Sequence, residues 1–136
     1  MREKSLVFIN PDAVKKNIIG KILSCYEDVG LKIVALKMET ASLEIASKHY
    51  AIHKEKPFYN DLIKFITGGP LCALILEGED AIAKIRKLNG NTNPLKAEEG
   101  TIRKCFGSNV TENCVHASDS EENAKNEIEI WFGKVR

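Results

Sequence analysis

The stretch "LCALILE", residues 71–77, is apolar until its last residue and is bounded by turn signals, with "GGP" directly before it. A short run of this kind marks a strand buried on both faces. Working outward, "SLVFI" at 5–9 reads as a short strand, and "LKIVALKME" at 31–39 as a β-rich run. Between them Pro11 suits a first helical position, with Asn10 as its N-cap. Val14, Ile18, Ile22 and Tyr26 then recur near helical spacing up to a stop at Gly30. Ser42 is placed to cap a helix with Leu43, Ala46 and Tyr50 on one face. A second helix carries Leu62, Phe65 and Ile66.

Downstream of the apolar run, a helix through Ile82 and Ile85 ends near "NGN". Periodicity then fades from Asn89 to Asn113, and a polar stretch of that length in a compact domain is usually a functional loop. A strand through "CVH" and a last helix with Ala124, Ile128 and Trp131 on one stripe complete the chain. The order β-α-β-α-α-β-α-loop-β-α amounts to two βαβ-type halves. It predicts a single α+β domain over 1–136, a ferredoxin-like sandwich with a four-stranded antiparallel sheet and surrounding helices. That topology hosts enzymes, metal carriers and RNA binders alike, so function must come from the site.

Composition narrows the field. The 136 residues are 43% hydrophobic and 29% charged, with a formal net charge of +1. This is the balance of a globular protein, too short for two ordinary domains. It argues against strong, sequence-independent nucleic-acid binding. No apolar run approaches a membrane span and no signal-peptide layout is present, so a cytosolic setting is expected. Cys25, Cys72, Cys105 and Cys114 contain no CxxC pair, and free thiols are expected. His49 and His53 stand four apart, but no third ligand accompanies them and a structural role is the reading.

The segment "NCVHASDS", residues 113–120, sets His116 at a strand-to-helix junction. Ser118 with Glu121, or Asp119 with Glu122, has capping-box spacing. The start of that helix favours an anion. Glu127, on the helix, is a candidate to orient the imidazole so that its other nitrogen can attack phosphorus. On local spacing alone, a half-buried histidine beside a helix cap is the commoner arrangement. No GxxxxGK[ST] is present, which excludes a P-loop kinase.

"NCVHASDS" resembles the active-site signature of the nucleoside diphosphate kinase family, and "HYAIHKEKPFYNDLIKFITGGP", "LEGEDAIAKIRKLNGNTNP" and "EEGTIRKCFG" resemble successive family blocks in order and spacing. The resemblance covers nearly the whole chain. It implies transfer of the γ-phosphate of a nucleoside triphosphate to a nucleoside diphosphate by a ping-pong route, with His116 as nucleophile and Glu127 and Ser118 holding it. Phe58 matches the aromatic that stacks on the base, with Leu62 and Val110 nearby, and stacking tolerates any base. Arg86, Thr92 and Arg103 match the phosphate-binding residues, Asn113 one near ribose and phosphates, and Tyr50 one near the transferring phosphate. The family also implies Mg²⁺ held mainly by nucleotide phosphates and water, with Asp119 reaching it through water, and a homo-oligomer, hexamer or tetramer.

Two positions depart from the family pattern. Asn10 replaces the lysine that precedes Pro-Asp, and Ala117 replaces the glycine after the histidine. An uncharged amide beside the transferred phosphoryl predicts a kinase with reduced turnover that still forms phosphohistidine. A nucleotide-binding module with little or no catalysis is the alternative.

Overall fold

The computed structural model describes residues 2–109 and 113–133. Four strands, β1 (Arg2–Ile9), β2 (Lys32–Glu39), β3 (Leu71–Glu79) and β4 (Val115–Ala117), form one sheet in the order β2-β3-β1-β4. Every neighbouring pair is antiparallel. This is the expected four-stranded sandwich. Residues 71–76 of β3 are all buried, as the apolar run requires of an interior strand. β2 alternates between exposed and half-buried, because it lies at the edge, and its register shifts between Ile33 and Ala35.

Among the described residues the helices are α1 (Pro11–Lys15), α2 (Ile19–Asp28), α3 (Leu43–His49), α4 (Tyr59–Ile66), α5 (Ala81–Asn89), α6 (Ile102–Phe106) and α7 (Glu121–Phe132). They cover the sheet in two layers. Val7 and Ile9 of β1 pack with Ile22, Tyr26 and Ile85 on one face. Leu6 and Phe8, alternating with them, pack with Ala46, Ile66, Ile128 and Trp131 on the other. Among the described residues, no helix is long and apolar enough to cross a membrane. All four cysteines are free, with Cys72 and Cys114 buried and Cys105 exposed.

Several local expectations are corrected or qualified. The single helix expected across Val14–Tyr26 is two, because Asn17 takes a left-handed φ of 57° between α1 and α2, a conformation asparagine tolerates. Asn10 does occupy the N-cap position of α1, yet its side chain makes no capping bond. The last helix is capped by Ser120, whose hydroxyl accepts from Asn123 N–H at 3.1 Å, and not by Ser118 or Asp119. The polar stretch expected as loop also contains α6 and a 3-10 turn over Pro94–Lys96. Gly90, at its start, has φ +88°, and a Cβ there would come within 2.6 Å of the Thr101 hydroxyl.

Candidate active site

The site is built on β1 and β4. In their register Phe8 faces His116, so both side chains emerge on the same side of the sheet, under α7. The chain enters β4 through Cys114, a non-glycine residue with φ 75°. Such backbone persists only where its surroundings over-determine it. Here Asn10 N–H donates to Cys114 O at 2.7 Å, and Cys114 N–H donates to Asp12 Oδ2 at 3.2 Å. The Asn-Pro-Asp turn therefore clamps the approach to the histidine from the end of β1. Burial raises the pKa of Asp12, and it pushes the Cys114 thiol up to about 12, with the Asp12 charge adding to it. Ala117 lies within β4 with an ordinary negative φ, so no glycine is needed there.

His116 Nε2 lies 3.1 Å from Glu127 Oε1. A carboxylate only accepts, so the proton of the neutral ring sits on Nε2 and Nδ1 keeps its lone pair. Ser118 is buried; its hydroxyl accepts from Leu6 N–H at 3.2 Å and donates to the same Glu127 oxygen at 3.0 Å. The His116 ring stacks on Phe8 at 5.0 Å and 29°, and meets the His49 ring nearly at right angles, at 4.7 Å and 80°. Tyr50 lies close enough to feel Glu127: burial first, then that negative charge, pushes its phenol up to about 12. The three residues expected to carry chemistry, His116, Glu127 and Ser118, are thus one hydrogen-bonded unit.

The residues expected to bind nucleotide are more dispersed. Asn113 is buried, and its Nδ2 donates to Thr92 O at 3.0 Å, tying the approach to β4 to the loop that carries Thr92. Arg103 sits between them: Nη1 donates to Gly90 O and Nη2 to Val115 O, both at 2.8 Å. Burial lowers its pKa, and the neighbouring Arg86 charge acts in the same direction. Arg86 itself is exposed in the last turn of α5. Phe58, at the N-cap position of α4, is 44% exposed, with Leu62 half-buried one turn on. Asn10 is buried, and its Oδ1 has no partner among the described residues. Val110 lies outside the described residues.

Two contributors were not visible from spacing. Asp12 gave no sign of its bond to Cys114, which depends on a left-handed residue 102 positions away. His49 does not share a helix with His53, which lies in the 3-10 turn Ala51–His53. Instead it meets α7, where Trp131 Nε1–H donates to its Nδ1 at 3.1 Å. One donor atom each of His49, His116 and Glu127 lie within 4.8 Å of one another. Hydrogen bonds within the protein already engage all three side chains.

Fold and site together define a ferredoxin-like domain with a carboxylate-held histidine on a strand that a buried arginine also fastens. A family model described as nucleoside diphosphate kinase matches residues 3–136. The chain is 63% identical over 133 residues to a nucleoside diphosphate kinase of Clostridium perfringens, covering 98% of this chain and 93% of that one. It is 52% identical over 130 residues to nucleoside diphosphate kinase 1 of Protochlamydia amoebophila, covering 96% and 92%. Among solved structures, the nucleoside diphosphate kinase of Aquifex aeolicus superposes with a TM-score of 0.94 at 40% identity, covering 97% and 96%. That of Halobacterium salinarum, solved in complex with CDP, does so at 0.94 and 38%, covering 98% and 90%. The chain belongs to the nucleoside diphosphate kinase family.

Proposed function

We propose that this chain is a nucleoside diphosphate kinase working by a ping-pong route through His116. The observation that carries the reading is the bond between His116 Nε2 and Glu127, which leaves Nδ1 as the free nucleophile. Nδ1 attacks the γ-phosphorus of a nucleoside triphosphate; the N–P bond forms, the bond to the bridging β,γ-oxygen breaks, and the diphosphate leaves. The positive charge that develops on the ring is balanced by Glu127 through Nε2–H, with Ser118 fixing the carboxylate. A terminal phosphate oxygen of an acceptor diphosphate then attacks the phosphohistidine and restores the lone pair. One pocket serves donor and acceptor in turn.

Phe58 stacks on the base with Leu62 beside it, while Arg86, Thr92, Arg103, Asn113 and Tyr50 address ribose and phosphates. Mg²⁺ fits as a cation carried by the nucleotide. Glu127 Oε1 is already engaged, and exposed Asp119, whose Oδ1 accepts from Asn123 Nδ2, reaches the ion through water. When bound, the ion neutralises charge on the phosphates.

Asn10 brings an amide where the family has an ammonium. A well-placed electrostatic donor contributes on the order of 10²–10³ in rate, so turnover is reduced while phosphohistidine formation persists. The reading includes a cytosolic setting and a homo-oligomer. The second is supported by edge strand β2, which leaves Val34, Leu36 and Met38 exposed.

Incubation with γ-labelled ATP and Mg²⁺ is the test. Acid-labile, base-stable label on the parent, lost in His116→Ala together with turnover, is the expected result. Label or turnover persisting in His116→Ala overturns the mechanism. Absence of label from the parent favours the non-catalytic nucleotide-binding module.

A further inference from the structure

A second histidine lies against the first, and nothing in the reaction described above uses it. His49 ends α3, and its ring packs against Phe8 of β1, His116 of β4, its own neighbour Tyr50 and Trp131 of α7, with centroids between 4.7 and 5.7 Å away. Its one ring bond among the described residues comes from the Trp131 indole. An indole N–H only donates, so His49 Nδ1 must be an unprotonated acceptor, and the proton of the neutral ring sits on Nε2. A proton on Nδ1 would point at the indole N–H. The tautomer is therefore fixed by geometry.

α7 makes both arrangements at once. Glu127 and Trp131 are four residues apart and so lie on one helix face. Glu127 sets the proton on His116, and Trp131 sets it on His49. The titratable groups facing His49 are His116, Glu127, Tyr50 and His53, and a charged His49 would act on each. It would compete with His116 for the Glu127 carboxylate. It would also oppose the positive charge that the His116 ring gains when Nδ1 is phosphorylated. Burial, with His116 and His53 contributing in the same direction, holds the pKa of His49 well below the ordinary histidine range.

We propose that His49 is a positioning residue for phosphoryl transfer: the Trp131 indole locks it as the neutral Nε2–H tautomer, and it holds the plane of the His116 ring without placing a second cation beside it. This rests on the reading of His116 as the phosphoryl acceptor. Burial and the flanking imidazoles keep His49 uncharged, and the Trp131 indole decides which of its ring nitrogens carries the proton.

The first test uses the unaltered protein. Nitrogen-15 histidine ring spectra from about pH 5.5 to 8 should show His49 with Nδ1 unprotonated and Nε2 protonated throughout, across the range in which an ordinary histidine titrates near 6.5. A protonated Nδ1, or titration of His49 inside that range, overturns the proposal. The second test follows the rate of phosphoenzyme formation against pH in Trp131→Phe, with Trp131→Phe/His49→Gln as its control. Trp131→Phe removes the donor to Nδ1 and, with its smaller ring, part of the burial that keeps His49 uncharged, so it should add an acid limb falling toward about tenfold per pH unit, which the neutral glutamine removes. A merely structural role would lower the rate equally at all pH values, so parallel profiles overturn the proposal. If Trp131→Phe fails to fold, the spectra of the parent decide alone. If the parent forms no phosphohistidine, the reading of His116 fails while the tautomer result stands by itself.

Discussion

His116 and Phe58 belong to one expected site, yet their surroundings are built differently. The His116 side chain is 27% exposed and is held by a carboxylate, a stacked phenyl ring and a perpendicular imidazole. Phe58 is 44% exposed and tilts against His53 at 5.5 Å, itself only half-buried. Arg86 and Thr92 are likewise exposed. The groups proposed to make and break bonds are fixed in advance, which suits electrostatic stabilisation of a transition state. Phe58, Arg86 and Thr92, proposed to meet the nucleotide, face solvent, where any base or phosphate can find them. Arg103 stands between the two regimes, because two of its N–H groups already fasten the Gly90 carbonyl and β4.

Changes on the two sides should therefore differ in kind. The largest effect is expected at Asn10, on the chemical side: Asn10→Lys should raise the rate of phosphoenzyme formation by on the order of 10²-fold. Stopped-flow or quench measurement at saturating nucleotide checks it, and an unchanged rate would mean that the amide already suffices. On the binding side, Phe58→Ala should weaken nucleotide binding by roughly 1–3 kcal/mol. It should appear in KM for purine and pyrimidine substrates alike, with kcat little affected. A fall in kcat alone would erase the distinction between the two regions. The smallest effect belongs to the scaffold: Ser120→Ala removes the α7 cap and should lower stability by about 1 kcal/mol. A urea midpoint shifted at constant slope is its signature.

The same division explains what could be read from the sequence. The sheet was legible because "LCALILE" is a burial pattern, and burial patterns are local. The stripe Ala124, Ile128, Trp131 was legible for the same reason, and all three residues are buried. His116 and Ser118 were readable as candidates from "NCVHASDS", and Glu127 from the helix that follows it. Asn17 was missed as a helix break, since apolar spacing continues across it and only its left-handed φ interrupts the helix. The Asp12–Cys114 clamp and the Trp131–His49 bond join residues 102 and 82 positions apart, and no periodicity reports on such pairs. The helix cap was misplaced by one or two residues: Ser118 is drawn instead to Leu6 and Glu127, and Asp119 to the Asn123 side chain.

The central claim is that Glu127 decides which nitrogen of His116 carries the phosphoryl group. Phosphoenzyme made with ATP and Mg²⁺, unfolded in alkali and examined by phosphorus–proton correlation spectra, reports that nitrogen directly. The account predicts a single phosphohistidine isomer, phosphorylated at Nδ1 of His116. Phosphorus on Nε2, or on a serine or carboxylate in place of the histidine, would contradict it.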